Sequence, residues 1–380
     1  MKLLEYQTKS FLKKQGIPTE SYILCRTPDE AEKAYTTLGK KQVMVKAQVL
    51  TGGRGKAGGI QKASSVEETR MQAEKLLGLS IRGLPVQELI VSEAVTIDAE
   101  FYVSFVIDRK QKSVLLVMSR EGGMDIEQVA RETPDRVLKF AIDPLLGIPD
   151  YLARYFITQC VEEPSLWASG AVLLQNLYRL FVKEDASLVE INPLVVTRQK
   201  QWLAIDGKMV LDDNARFRHI EHEALAHWTE QEKKEQEAKK KGFSYLSLDG
   251  NIGCVVNGAG LAMATLDRLT DFGGRPANFL DIGGSSHSKK VKEAMELLLR
   301  DTAIKGVFIN IFGGITRCDD VAMGLLEAFK ELNNEIPIVV RLTGTNEKEG
   351  KELLCGGPFL VVDEMDEAVK KIVNLVNKAG

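Results

Sequence analysis

Between Asn251 and Asn377 five short apolar runs alternate with stretches of helical spacing. The runs are Asn251–Val256 (NIGCVV), Ala277–Ile282 (ANFLDI), Gly306–Phe312 (GVFINIF), Ile336–Leu342 (IPIVVRL) and Phe359–Val362. Helical stretches follow at Leu261–Phe272, from about Lys289 to Leu299, and from the GGITRCDD turn to about Leu332. Asp366–Asn377 closes the series, with Val369, Ile372, Val373 and Val376 on one helical face. Strands separated by helices cannot pair as tight hairpins, so they are predicted to lie parallel in a doubly wound sheet of flavodoxin-like order.

In such a sheet ligands bind where strands end and helices begin. The first three strands each run into a glycine-rich turn: Asn257-Gly258-Ala259-Gly260, Gly283-Gly284-Ser285-Ser286 and Gly313-Gly314-Ile315-Thr316. Glycine lets backbone N–H groups approach a ligand, and a helix N-terminus adds positive potential. Three such turns along one edge point to an anion or phosphate surface.

Upstream stands TEQEKKEQEAKKK, residues 229–241, in which nine of thirteen residues are charged and the net charge is only +1. It has no apolar stripe and is read as a solvated helix or linker. The predicted organisation is therefore 1–228, a charged linker over 229–245, and 246–380.

The first part is less regular. Leu3–Lys14 reads as an amphipathic helix ended by Gly16 and Pro18, and Thr27–Leu38 opens with the helix start TPDE. Strands are expected at Val43–Gln48, Glu88–Val91, Phe101–Ile107, Ser113–Ser119, Ser187–Val196 and Trp202–Ile205, an α+β pattern with antiparallel pairs.

Two segments carry chemistry. VKAQVLTGGRGKAGG places five glycines and the cations Lys46, Arg54 and Lys56 within fourteen residues. A mobile glycine loop can offer N–H groups to phosphate oxygens while the cations offset their charge. The segment is neither a Walker A loop nor a dinucleotide fingerprint. In LVEINPL, alternation along a strand puts Glu190 and Asn192 on one side, and Pro193 marks an edge or strand end. If that strand pairs through a turn near Arg198–Gln201, Asp206 converges on Asn192. Two oxygen ligands plus nucleotide phosphates suit Mg²⁺; a solvent-facing acid and a turn asparagine are the equal alternative.

Lys plus Arg is 50 against 53 Asp plus Glu, a net charge of −3, so nothing global draws the chain to nucleic acid or anionic membrane. No apolar run approaches the roughly 20 residues of a membrane span, and MKLLEYQTKS lacks a signal peptide's apolar stretch. A cytoplasmic setting is expected. Five cysteines without a CxxC pair argue against a disulfide framework or structural zinc. His222 and His227 are five apart, the wrong spacing for an HExxH pair, so no histidine metal site is expected.

The segments LLEYQTKSFL, VKAQVLTGGRGKAGG, LVEINPLVVT, LAIDGKM, SLDGNIGCVVNGAGLAMATLD, ANFLDIGG, NIFGGITRCD and VVRLTGTN together resemble the β-subunit family of succinate–CoA ligases, in family order over nearly the whole chain. The resemblance implies an ATP-grasp domain followed by a flavodoxin-like CoA-ligase domain. It implies that Lys46 and Gly53-Arg54-Gly55 hold nucleotide phosphates and that Ser92, Val95 and Glu100 frame base and ribose. Ser92 departs from the acid common in the family, although Glu93 follows. Asn192 and Asp206 match Mg²⁺ ligands. Glu190 matches the acid facing a phosphorylated histidine, while Asn257 and Gly314-Ile315-Thr316 match the acyl-substrate positions. The implied partner is an α subunit that carries the phosphohistidine and most of the CoA site, in an αβ or (αβ)₂ assembly, with ATP or GTP as phosphoryl donor. His287 is a further departure, read as a polar loop residue. The malate–CoA ligase β subunit shares these motifs, and a non-catalytic nucleotide-binding assembly subunit is the alternative of another class.

Overall fold

The computed structural model describes residues 1–227, 230–284, 287–332 and 336–379. The chain divides into two compact units, Met1–His227 and Trp228–Gly380. Ser285 and Ser286 of the second glycine turn, and Thr229 of the charged run, lie outside the described residues.

Among its described residues unit one holds two large antiparallel sheets and a two-stranded ribbon, Ser80–Ile81 with Leu84–Pro85. In the first, the strands run in the order Tyr22–Cys25, Glu88–Glu93, Val43–Gln48, Ile60–Ala63. The helices Pro28–Leu38 and Val66–Leu77 accompany this sheet. Thr27 and Ser65 cap them by accepting from the N–H three residues on. Ala31, Ala34, Ala73 and Leu76 from those helices join Val43, Val45, Leu89 and Val91 in one core.

The second sheet runs Trp202–Ala204, Ala186–Thr197, Ile97–Asp108, Ser113–Ser119, Val137–Ile142, with Gly207–Leu211 also paired to Ala186–Thr197. Asp150–Cys160 and Trp167–Lys183 supply its helical cover, through Phe156, Leu174, Leu177 and Phe181. Ala186–Thr197 is therefore an inner strand, which corrects the edge position read from Pro193. Register shifts between Ile191 and Leu194, where the strand exchanges Gly207–Leu211 for Trp202–Ala204 on one side. A bulge is where proline is tolerated inside a sheet, because no ladder hydrogen bond is required there.

The described residues of unit two form a six-stranded sheet ordered Ser244–Ser247, Asn278–Asp281, Ile252–Val256, Gly306–Gly313, Ile338–Gly344, Phe359–Val361. Without its first strand this is the flavodoxin-like 2-1-3-4-5 order with every pairing parallel. Ser244–Ser247 is an added antiparallel edge, absent from the periodicity because its run SYLS is half polar.

Of the two readings of the charged run, helix and linker, the described residues show the helix. Glu230–Lys240 is a helix grouped with unit two, where Ala238 is fully buried beside Phe243. Lys234 reaches Asp301 at 2.7 Å, and Glu235 accepts from the Ser247 N–H at 3.1 Å. One alanine and a few ion pairs replace an apolar stripe, which is why periodicity did not reveal it. Among the described residues no helix is long and apolar enough to cross a membrane.

Candidate functional site

The first helix, Glu5–Lys14, buries charge. Glu5 and Lys9, one turn apart, are both inaccessible, and Lys9 Nζ donates to Glu5 Oε1 at 2.5 Å and also to Glu20. Strand Val43–Gln48 brings Lys46 into the same interior. Its ammonium donates to Glu20 Oε1 at 3.0 Å, Glu5 Oε1 at 3.3 Å and the Ile205 carbonyl at 2.7 Å.

The glycine segment follows at once as a turn anchored at its base. Ala47 N–H donates to the Gly59 carbonyl and Gly59 N–H to the Arg54 carbonyl, both at 2.8 Å. A Cβ on Gly59 would lie 2.7 Å from Ile81 Cδ1, so glycine is needed there for close approach. Arg54 points inward. Its Nη1 donates to the Ala47 carbonyl at 2.9 Å and lies 2.6 Å from Glu5 Oε2, while Nη2 donates to Asp206 Oδ1 at 2.8 Å. Gly53, Gly55 and Lys56 stay exposed at the tip.

Lys9, Lys46 and Arg54 thus face Glu5, Glu20 and Asp206. Burial raises the cost of the Glu5 carboxylate, but Lys46, Lys9 and Arg54 outweigh it and hold the carboxyl well below its usual range. Lys46 shows the same balance with the opposite sign: burial disfavours its charge, and Glu5, Glu20 and Asp206 more than restore it.

Asp206 sits in the turn between Trp202–Ala204 and Gly207–Leu211, and its carbonyl accepts from Asn192 N–H at 3.3 Å. The predicted convergence of Asn192 and Asp206 is present. The Asn192 amide is oriented by a loop that sequence reasoning passed over, Glu121–Asp125. Gly123 N–H donates to its Oδ1 at 2.7 Å, and its Nδ2 donates to the Met124 carbonyl at 2.8 Å. The same loop covers Glu100, where a Cβ on Gly123 would meet Oε2 at 2.8 Å. The paired glycines beside two acids in EGGMD were the available signal.

Glu190 shares the face of Asn192, as alternation predicts, and lies opposite Lys208 and Ser104. Its carboxyl is raised, first by burial and further by Asp206 and Asp125, with Lys208 and the Asn192 amide opposing. Burial and the nearby Glu190 charge likewise push the Tyr102 phenol up.

Ser92 is completely buried between Tyr22 and Met44 on the neighbouring strands, and its Oγ has no hydrogen-bond partner among the described residues. The adjacent Glu93 is engaged locally: its Oε2 holds Lys40 at 2.8 Å and its Oε1 accepts from Ser21 N–H. Val95 lies half-buried in the link between the strands Glu88–Glu93 and Ile97–Asp108.

Two oxygens suited to a divalent cation are available here. Asp206 Oδ2 takes no hydrogen bond among the described residues, and Asn192 Oδ1 accepts one bond of the two it can take. A hard cation that keeps several waters fits this donor set.

In unit two the four strand-end turns are stitched together. Asn257 Nδ2 donates to the Phe312 carbonyl and Phe312 N–H returns to Asn257 Oδ1, both at 2.9 Å. Asp281 Oδ1 accepts from Gly258 N–H at 2.6 Å and Gly283 N–H at 2.8 Å. Thr316, buried, donates to the Gly284 carbonyl at 2.9 Å, and Thr345 to the Gly314 carbonyl at 2.9 Å. The Thr316 side chain is therefore engaged with the main chain, and Ile315 beside it is 84% exposed. Arg317 pairs with Asp319, which also accepts from Asn346 Nδ2 at 3.0 Å. His287 is exposed and caps nothing with its side chain.

Comparison with known proteins gives the following. A family model for the ATP-grasp domain matches residues 2–196, and one for CoA-ligase matches residues 255–373. The β subunit of ADP-forming succinate–CoA ligase from Bacteroides thetaiotaomicron is 55% identical over 369 residues, 97% of this chain and 98% of its own. The subunit of the same name from Persephonella marina is 43% identical over 388 residues and is covered completely, as is this chain. The solved structure of ATP citrate lyase from Methanothrix soehngenii, in complex with citrate and coenzyme A, shares the fold with a TM-score of 0.73. It is 20% identical and covers 99% of each chain.

Proposed function

The chain belongs to the β-subunit family of ADP-forming succinate–CoA ligases, acid–thiol ligases, and from that premise we propose how its two units divide the work. The full-length relatives carry that one name, so the malate and non-catalytic readings are not favoured.

Unit one binds the nucleotide. The observation that carries this is the docking of the glycine turn on the Asp206 turn, through Arg54 to Asp206 at 2.8 Å and Lys46 to the Ile205 carbonyl at 2.7 Å. Lys46 and Arg54, whose charges are matched here by Glu5, Glu20 and Asp206, stand beside the exposed Gly53 and Gly55 as the cations of a surface for nucleotide phosphates. Ser92, Val95 and Glu100 line the link toward base and ribose. Asn192 and Asp206 hold Mg²⁺, which when bound neutralises charge on the phosphates. Glu190, partly desolvated, accepts a hydrogen bond from the incoming histidine and keeps its ring oriented.

The γ-phosphoryl passes to a histidine of an α subunit, then to succinate, and CoA thiolate displaces phosphate from succinyl phosphate. Asn257, Gly314, Ile315 and Thr316 of unit two form the surface on which the acyl transfer takes place.

The test is co-purification with the α subunit, followed by transfer from γ-labelled ATP and GTP. Label on an α-subunit histidine that disappears with Asp206→Asn supports the assignment. Undiminished label in that variant removes Asp206 from the site.

A further inference from the structure

Glu184, His219 and His222 form a cluster that phosphoryl transfer does not use. One carboxylate oxygen and one ring nitrogen from each histidine all lie within 4.8 Å of one another. The backbone explains the convergence. His219 links the successive 3-10 turns Asp213–Arg218 and Ile220–Leu225, and the His222 N–H donates to its carbonyl at 3.0 Å, which closes the turn and sets the two side chains on one side. The rings of His219 and His222 accordingly stack, centroids 4.5 Å apart and 4° from parallel. Glu184 ends the helix Trp167–Lys183, and its Oε2 lies 2.9 Å from His222 Nε2. Asp185 holds His219 Nε2 at 2.7 Å, which leaves that ring's Nδ1 as its lone-pair donor.

The geometry points to a zinc-class divalent metal site held by Glu184, His219 and His222, with Asp185 orienting His219. Two imidazoles and a carboxylate are the donor set of such ions, and a carboxylate on the far nitrogen of a ligand ring is their usual support. Donors bonded at about 2.0–2.1 Å to a tetrahedral ion stand about 3.3 Å apart, close to the 2.9 Å already present between Glu184 and His222. His219 completes the set by tilting out of the stack. Glu184 and His222 are buried, and the cluster opens on a cleft of about 310 Å³ walled by Phe11, Gln15 and Leu225, with room for a water as fourth ligand. Glu221 stands 3.6 Å from His219 Nδ1, while Arg218 and Lys183 pair with Asp185 and Glu184 at 2.6 and 3.5 Å. The ion staples the 3-10 turns to the helix end.

The test uses the full chain near neutral pH, titrated with Co²⁺ by visible absorption and with Zn²⁺ by calorimetry and thermal melting. One equivalent should bind with a tetrahedral cobalt spectrum and raise the melting temperature. His219→Gln and His222→Gln should each weaken binding by more than about 100-fold, and Asp185→Asn by about 10-fold. Cys355→Ser and His287→Gln, which alter other exposed metal-binding groups, should bind like the parent. If His222→Gln does not fold, His219→Gln decides, because that ring is only partly buried. Absence of stoichiometric binding to the folded parent overturns the proposal. So does binding that the histidine variants leave unchanged.

Discussion

Arg54 Nη2 donates to Asp206 Oδ1 across 2.8 Å, joining a glycine turn to a strand turn 152 positions later. The pair closes an interior cluster of Lys9, Lys46 and Arg54 against Glu5, Glu20 and Asp206. Each charge there is offset by a bonded partner, as burial demands.

Asp206→Asn keeps an oxygen for Arg54 but removes the negative charge. Turnover with the partner subunit should fall by about 10³-fold, since charge stabilisation by a bound metal is worth several kcal/mol. Circular dichroism should stay near the parent, and melting should fall by less than in Glu5→Gln, because the Asp206 side chain is 32% exposed. Steady-state assays beside a thermal melt check both parts.

Glu5→Gln leaves three buried cations, Lys9, Lys46 and Arg54, with only two carboxylates, Glu20 and Asp206. Loss of one partner in a buried charge group costs about 3–5 kcal/mol. Urea unfolding of the variant should show that loss, and Glu5→Gln with Lys9→Met should cost less than the two single changes added.

The depressed Glu5 carboxyl fixes the sign of an acid effect. Its folded value lies below the ordinary 4.5, so its contribution to stability is complete above about pH 4.5. It fades as pH falls below that and is gone once pH passes the folded value. Denaturation midpoints measured downward from neutrality should drop there, with a shallower slope in Glu5→Gln.

Glu190 has the opposite sign. Its carboxyl is raised by burial, so ionisation at neutral pH works against folding. Glu190→Gln should therefore melt slightly higher than the parent at neutral pH, with the gain vanishing in acid. It should also slow labelling of the α-subunit histidine by about 10²-fold, the usual scale for losing a positioned acid–base group. Melting and single-turnover phosphorylation, read on one preparation, separate the two effects.

Gly344 sits at φ 110°, and a Cβ there would lie 2.0 Å from the Gly313 carbonyl oxygen. Gly344→Ala should destabilise unit two by about 3 kcal/mol or more, through strain that neither strand can relieve. A far smaller loss in chemical denaturation would mean that the two strand ends separate readily.

The fold of unit two was legible because its strands are mostly apolar and spaced by whole helices, so periodicity and connection length agreed. Ser244–Ser247 escaped because an edge strand with one polar face carries little pattern. In unit one the strands Tyr22–Cys25, Ile60–Ala63, Val137–Ile142 and Gly207–Leu211 escaped because runs of four to six residues carry little alternation, and the first three lie at sheet edges. Lys46, Arg54, Asn192 and Asp206 were visible from residue type and spacing. Glu5, Lys9 and Glu20 were not, because a charged residue on an amphipathic helix reads as solvent-facing until the strand it meets is known. Glu121–Asp125 was missed because its role lies in main-chain groups, which residue type does not display. The histidine pair was missed because His222 was compared with His227, whereas a 3-10 turn matches it with His219.

The stitched turns of unit two bear on selectivity. Asn257 is clamped to Phe312, and the Thr316 hydroxyl is turned toward Gly284. If the acyl substrate meets these turns as proposed, the main-chain bonds of Asn257 and Thr316 leave those two side chains little freedom to adapt to acids of different length. Acid preference then falls to the α subunit, and pairing this chain with an α subunit of another preference should change the acid accepted.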